Sequence, residues 1–164
     1  WRRRGLDDKT IARFGLGYAP DDGQALYLYL RDKGYNQQEL DASGLFKRSQ
    51  SGRIYCLFWK RVMTPIFDLR GNIIAFGGRV LDDSKPKYVN SPETLVYHKS
   101  ETVFALQIAK KSASRRFVLC EGYMDVISMQ QAGIDTAVCA CGTALTPEQV
   151  RLISECAEIG RAHV

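Results

Sequence analysis

Phe117-Val118-Leu119-Cys120-Glu121-Gly122-Tyr123-Met124-Asp125-Val126, with its continuation to Gly142, decides the fold. The run Phe117 to Cys120 has the all-apolar character of a short strand covered on both faces, and it stops at a carboxylate and a glycine. A helical pattern follows from Tyr123 to Gly133, and a second apolar run, Thr136 to Ala140, closes on Gly142-Thr143. This is a strand, turn, helix, strand unit of the parallel-sheet kind. It puts Glu121 at the carboxyl end of its first strand, where open α/β sheets place ligands and catalytic groups. A glutamate at that tip either does chemistry or holds a turn.

On both sides of this unit the pattern changes. Upstream, Leu6 to Phe14, about Gln24 to Lys33 and Asn36 to Gly44 carry helical spacing. Asp7 or Asp8 caps the first, Leu26, Tyr29 and Leu30 are the expected core face of the second, and Asn36 with Glu39 forms a capping box on the third. From Leu45 the pattern turns to β: Arg53 to Phe58 is strand-prone, and Arg61 to Asp68 pairs with Ile73 to Val80 across Leu69-Arg70-Gly71-Asn72. Pro65 has no N–H to donate, so its strand is expected at an edge or with a bulge, and Gly77-Gly78 invites close approach by another group. Lys85 to Thr94 reads as an ordered surface segment, and Glu101 to Lys111 as a helix. Downstream, Thr146-Pro147-Glu148-Gln149 is a strong helix start, with the helix ending near Ala157.

At 164 residues there is room for one domain, or for one and part of another. No uncharged apolar stretch of about 18 residues occurs, and Trp1-Arg2-Arg3-Arg4 lacks the apolar segment of a signal peptide, so a soluble cytoplasmic protein without membrane partners is expected. The cysteines, Cys56, Cys120, Cys139, Cys141 and Cys156, contain no Cys-x-x-Cys pair, which favours reduced buried thiols over zinc or disulfides. The net charge is +5, unevenly spread: residues 1–100 hold 17 Lys/Arg against 11 Asp/Glu, and residues 101–164 hold 6 against 7. That asymmetry suits a polyanionic partner for the first part, and equally an ordinary solvated surface.

Two constellations carry candidate chemistry. Glu121 and Asp125, at a glycine turn and a helix N-terminus, suit a magnesium ion or proton transfer, although Asp125 also suits a plain helix start. Arg79, Lys85, Lys87 and Lys99, with the arginines at the start of the chain, suit contacts to phosphates, and each alone also reads as a solvated charge. Tyr88 and Tyr97 could stack bases or pack.

Glu121-Gly122-Tyr123-Met124-Asp125-Val126 resembles the first signature of the Toprim fold. It is preceded by Arg61-Val62-Met63-Thr64-Pro65-Ile66, Phe76-Gly77-Gly78-Arg79 and Pro86-Lys87-Tyr88-Val89-Asn90-Ser91-Pro92-Glu93-Thr94, and that order is similar to the RNA polymerase domain of bacterial DnaG-type primases. The resemblance runs to about Glu158, through Cys141-Gly142-Thr143-Ala144-Leu145-Thr146. It implies an α/β (α+β) fold: a mixed N-terminal subdomain over residues 1–105, then an incomplete Toprim (Rossmann-like, parallel-sheet) subdomain over residues 106–158, with the active site between them.

The implied activity is synthesis of short RNA primers on a single-stranded DNA template from ribonucleoside triphosphates, with Mg²⁺ or Mn²⁺ as cofactor. A replicative helicase is the implied partner of the full-length parent. By motif position Glu121 resembles the family's essential glutamate, in metal binding or acid/base catalysis, and Asp125 a neighbouring acidic position. Arg4, Arg79, Lys87, Asn90 and Lys99 fall where the family places contacts to nucleotide or nucleic acid.

The family's later acidic pairs, the Asp-x-Asp pair first among them, have no counterpart here, nor has its zinc-binding domain. The expectation is therefore a fragment of a primase, inactive by itself and without zinc. Residues 159–164 resemble a translated sequencing adapter and are expected to be a non-native tail. The alternatives are a non-catalytic single-stranded DNA-binding module, a fragment of a phage primase-helicase, or another Toprim enzyme such as a topoisomerase or nuclease.

Overall fold

The computed structural model describes residues 1–114, 116–142 and 144–157. The expectations for Thr143, for Glu158 and for the tail over residues 159–164 lie outside the described residues. The chain folds as mixed α+β around two sheets and a separate hairpin.

The first sheet is antiparallel. Strand β4 (Arg61–Phe67) pairs along its length with β5 (Ile73–Val80), β1 (Gly17–Ala19) covers one flank of β4, and β6 (Tyr88–Asn90) covers the far side of β5. Pro65 sits in an interior strand, yet β1 reaches only Arg61 to Met63, so at Pro65 that flank has no neighbour needing an N–H, and the ladder shifts register between Ile66 and Phe67. Strand β6 gives the ordered surface segment expected over Lys85 to Thr94 a ladder that was not expected. Its three residues pair Asn90 with Gly77 and Tyr88 with Arg79, a local ladder that proline-rich flanks conceal in the sequence.

Around this sheet stand α1 (Asp8–Phe14), α2 (Ala25–Asp32), α3 (Gln37–Ala42) and the hairpin β2 (Phe46–Arg48) with β3 (Ile54–Cys56). Asp7 caps α1 by accepting from the Thr10 N–H at 2.7 Å, and Leu6 and Phe14 are buried. Asn36 and Glu39 exchange both bonds of the capping box on α3. Helix α2 departs from expectation: Leu26 and Tyr29 are exposed, and the inward side is made by Tyr27 and Leu30, with Tyr27 edge-on to Phe46 at 5.5 Å. The segment Ala-Leu-Tyr-Leu-Tyr-Leu is apolar all round, so spacing cannot choose its buried face.

The second sheet has the order β7-β9-β8. Strand β8 (Val118–Cys120) and β9 (Ala137–Ala140) are parallel and linked by helix α5 (Tyr123–Gln131), as the opening stretch predicts. The helix expected over Glu101 to Lys111 is a correction: a 3₁₀ turn at Lys99–Glu101 leads into strand β7 (Val103–Phe104), and only Leu106–Ala109 forms a helical turn, α4. Thr102-Val103-Phe104 is β-prone and buried, and its pairing with β9 overrides the helical spacing around it. Helix α6 (Pro147–Cys156) starts on the Thr146 cap with the Gln149 capping box.

One core cluster joins the sheets: Phe14, Ile66 and Ala75 from the first half pack with Phe104, Val126, Ile127, Ala137 and Cys139 from the second. That shared core fixes the two halves against each other along a cleft. Among the described residues no helix is long and apolar enough to cross a membrane.

Candidate functional site

In an antiparallel ladder, partnered residues share a face, and the faces alternate along each strand. Val62 partners Arg79, Thr64 partners Gly77, Arg79 partners Tyr88, and Gly77 partners Asn90. These residues therefore point to one side of the first sheet, and they line a cleft of about 1120 Å³. Its opposite wall is the start of α5 with the tip of β8: Glu121, Gly122, Tyr123, Met124 and Asp125, floored by Ala140 and Cys141. Trp1, Arg3 and Arg4 close one end.

The junction is held by Tyr123. A methyl group at Gly77 would lie 2.7 Å from the Tyr123 ring and 3.2 Å from Asn90 Oδ1, so glycine is what lets the ring seat against β5. Behind it, Phe104 lies 4.6 Å away, centroid to centroid, and Phe104 in turn stacks on Phe14 at 6.0 Å. The Tyr123 and Tyr97 hydroxyls both come close to the Cys141 thiol without a well-formed hydrogen bond, and burial raises the pKa of all three groups, that of Cys141 to about 11. All three therefore stay protonated at neutral pH. Tyr97, fully buried, is core; of the two tyrosines named as stacking candidates only Tyr88 faces solvent.

The acidic wall has two exposed carboxylates. Asp125 Oδ2 accepts from the Gly122 N–H at 3.1 Å, which makes Asp125 the reciprocal cap of α5 while the residue stays exposed. Glu121 has no hydrogen bond or ion pair among the described residues. The basic wall is unusual in what it leaves unpaired. Arg79 lies 5.5 Å from the Tyr88 ring centre, and its Nε is buried without a partner. A buried, unsatisfied guanidinium nitrogen at a cleft wall is costly unless a ligand completes it.

Of the residues picked from sequence, the structure brings Arg4, Arg79, Lys87, Asn90, Glu121 and Asp125 into one cleft. Lys99 is not among the residues lining it: its backbone is held by Glu93 and Gln149, and it reaches the site only as a charge that lowers the Cys141 thiol's pKa against the effect of burial. Arg3, one of the arginines at the start of the chain, also lines it, whereas sequence reasoning missed Trp1, Val62, Thr64, Asp82, Asp83 and Tyr123. Counting alternate residues back from Arg79 through the hairpin would have found Val62 and Thr64. Arg61, on the other face of the sheet and only 5% exposed, was also missed; it donates to the Lys87 carbonyl at 3.4 Å and so braces the loop that carries Lys87.

Among the described residues no group of three or more His, Cys, Asp or Glu is placed to hold a metal ion. Glu121 with the second carboxylate oxygen of Asp125 offers two hard oxygen ligands across the cleft from the basic wall. That donor set fits a single Mg²⁺ or Mn²⁺ completed by water and substrate oxygens, since magnesium is usually held by one or two carboxylates.

Comparison with known proteins shows the family and the fold. The family described as DNA primase catalytic core, N-terminal domain, matches residues 1–110, and the Toprim domain family matches residues 115–159. The chain is 46% identical over 151 residues to the DNA primase of Clostridium acetobutylicum and 48% identical over 155 residues to that of Deinococcus radiodurans, covering 92% and 93% of this chain and 25% and 27% of those proteins. It thus spans about a quarter of the length of the curated relatives it matches. Among solved structures, a DnaG primase catalytic domain bound to single-stranded DNA superposes with a TM-score of 0.86 at 39% identity, over 95% of this chain and 51% of that one. The RNA polymerase domain of Mycobacterium tuberculosis primase DnaG, in complex with a double-stranded DNA oligomer with a 6-nucleotide overhang, gives 0.87 at 36% identity, over 94% and 50%.

Proposed function

Because the chain belongs to the DNA primase catalytic core family, we propose that its cleft binds a single-stranded DNA template and ribonucleoside triphosphates for the synthesis of RNA primers in the bacterial cytoplasm. The observation that carries this reading is the opposition of two walls: unpaired Arg79 with Arg4, Lys87 and Asn90 on one side, and Glu121 with Asp125 on the other. Phosphates want the first wall, and a divalent cation bridging to them wants the second.

In this assignment the Arg79 guanidinium offers its terminal N–H groups to a phosphate or triphosphate oxygen, and Arg4 and Lys87 add positive charge without reading sequence. Asn90, seated against the Gly77 backbone, offers its amide to a base or sugar edge. Glu121 and the second carboxylate oxygen of Asp125 would hold Mg²⁺ or Mn²⁺. When bound, that ion neutralises developing charge on a transferred phosphoryl group. Glu121 at the mouth of the cleft is also placed to accept a proton from an attacking hydroxyl. Two carboxylates are too few to hold two cations, so binding without primer synthesis is expected of this chain alone. The replicative helicase is the expected partner of a full-length protein.

Oligonucleotide binding followed by fluorescence anisotropy tests the assignment. Log affinity for a single-stranded oligomer should fall linearly with log salt, and Arg79→Ala or Lys87→Ala should each flatten that slope by about 0.7. Glu121→Gln should leave template affinity within about twofold and abolish the Mn²⁺ dependence of nucleotide binding. A chain that binds no oligonucleotide at low salt, or an Arg79→Ala variant with wild-type affinity and slope, would overturn the assignment.

A further inference from the structure

The register of the first sheet places four residues in one row across the cleft-facing side. Tyr18 of β1 partners Val62 of β4, Val62 partners Arg79 of β5, and Arg79 partners Tyr88 of β6. Partnered residues project from the same face, so the row reads tyrosine, valine, arginine, tyrosine from one edge of the sheet to the other. The middle of the row is packed: Val62 is 7% exposed. Its ends are not, with Tyr18 53% and Tyr88 62% exposed. The Tyr18 side chain makes no hydrogen bond, ring contact or ion pair among the described residues. The Tyr88 ring has the Arg79 guanidinium beside it, at 5.5 Å.

A single exposed tyrosine calls for no explanation. Two in one cross-strand row, on the face that also carries an incompletely bonded arginine, are a different case. We propose that Tyr18 and Tyr88 are the two ends of a stacking strip for the unpaired bases of a single-stranded nucleic acid, an extension of the site that rests on the template-binding reading above. The strip runs from the cleft to the β1 edge. Strands lie about 4.8 Å apart, so three steps separate the two rings by roughly 14 Å. At about 3.4 Å per stacked nucleotide that span suits a run of about four nucleotides.

Charge supports this occupant. At the β1 edge, Trp1 donates its indole N–H to the Gly17 carbonyl at 3.1 Å, and it brings Arg3 and Arg4 to that end of the cleft. At the β6 edge stand Arg79 and Lys87. Aromatic faces flanked at both ends by cations, on a sheet surface, form the arrangement that holds single strands by stacking while the backbone follows the positive charge. A sheet-edge tyrosine meant to pack against protein would need no such cations.

The experiment measures affinity of the chain for a labelled oligothymidylate and for an oligomer of the same length and charge with abasic sites at its centre. Tyr18→Ala should weaken binding to the first by about 5- to 150-fold, the range expected for loss of one base stack. It should leave the salt slope unchanged, and Tyr18→Phe should stay within about twofold of wild type. On the abasic oligomer Tyr18→Ala and wild type should bind alike. Because Tyr18 is exposed, its replacement should not shift the melting temperature. Wild-type affinity of Tyr18→Ala, an equal loss on both oligomers, or a change in sedimentation mass instead of affinity would each overturn the strip while leaving the assignment of Arg79 and Lys87 standing. A wild-type chain that binds neither oligomer would overturn both.

Discussion

Replacing Gly77 with alanine tests the junction on which the site depends. Gly77 is not among the positive-φ glycines, so an alanine backbone is at ease there and any cost must come from the added methyl group. That methyl would lie 2.7 Å from Tyr123 Cε2 and 3.2 Å from both Tyr123 Cδ2 and Asn90 Oδ1. Carbon atoms pack at about 3.5–4.0 Å, so the ring must retreat by roughly 1 Å. It has nowhere to go, because Phe104, 1% exposed, backs it at a centroid distance of 4.6 Å. Overpacking of this kind costs about 1–3 kcal/mol, which for a chain of this length lowers the melting temperature by about 2–12 °C. Tyr123 is two residues from Glu121, so oligonucleotide affinity and Mn²⁺-dependent nucleotide binding should both fall. Gly78→Ala is the internal control. Its methyl would meet Phe58 Cδ1 at 2.8 Å and Arg61 Cδ at 3.1 Å on the other face, so it should cost similar stability without changing the Mn²⁺ dependence. Circular dichroism melts and anisotropy titrations on the two variants decide the matter. A Gly77→Ala protein that melts within 1 °C of wild type and binds alike would refute the seating of Tyr123.

Gln149 is 1% exposed and donates to the Lys99 and Thr102 carbonyls at 2.7 and 2.9 Å, so Gln149→Leu should cost about 1–3 kcal/mol in chemical denaturation by leaving buried acceptors unpaired. The Asp7, Asp68 and Asp82 carboxyls are held below the ordinary carboxylate pKa of 3.8, chiefly by the Thr10, Asn72 and Ser84 hydrogen bonds respectively. A lowered folded-state pKa stabilises the protein above the unfolded value, so melting temperature should be flat above about pH 5 and drop as pH falls through and below 3.8, and Asp7→Asn should soften that drop. Cys56, Cys139 and Cys141 are buried with pKa values raised by that burial, so alkylation by iodoacetamide at pH 8 should spare them in the native protein and reach them in denaturant; rapid native labelling of Cys141 would contradict the burial of its thiol.

The parts of the fold legible in the sequence are those where a local signal and the tertiary context agree. Asp7, Asn36 and Thr146 each cap the helix that their side-chain chemistry suggests, because a cap is satisfied within a few residues. The unit from Phe117 to Ala140 is legible because its periodicity changes at Glu121-Gly122, where the strand ends. The misses are pieces whose structure depends on distant partners. Val103 and Phe104 are a strand only because β9 lies beside them, and β6 exists only because β5 offers a free flank. Tyr123 reads from sequence as the first residue of a helix; that it is also the contact between the two walls depends on Gly77, 46 positions earlier. For Lys99 the motif position suggested a site residue, and the turn at Lys99–Glu101 takes its backbone toward α6 instead.

The glycine pair does more than admit a ring. On β5, Gly77 and Arg79 face the cleft, and Gly78 and Val80 face Phe58 and Arg61. A slip of one residue between β4 and β5 would exchange these sets, sending the Arg79 guanidinium into the apolar side and removing positive charge from the cleft. The slip is opposed on both faces at once, because Tyr123 needs a glycine beneath it on one side and Phe58 needs one on the other, and only the observed register supplies both. The irregularity in the ladder falls between Ile66 and Phe67, beyond the last cleft residue of β4, so the strand can bend without disturbing the parity that aims Val62 and Thr64. Packing and electrostatics are thus set by the same two positions. A variant that relaxes the register by replacing both glycines, Gly77→Ala with Gly78→Ala, should lose more oligonucleotide affinity than the two single changes combined, and strict additivity would show that the register is held elsewhere.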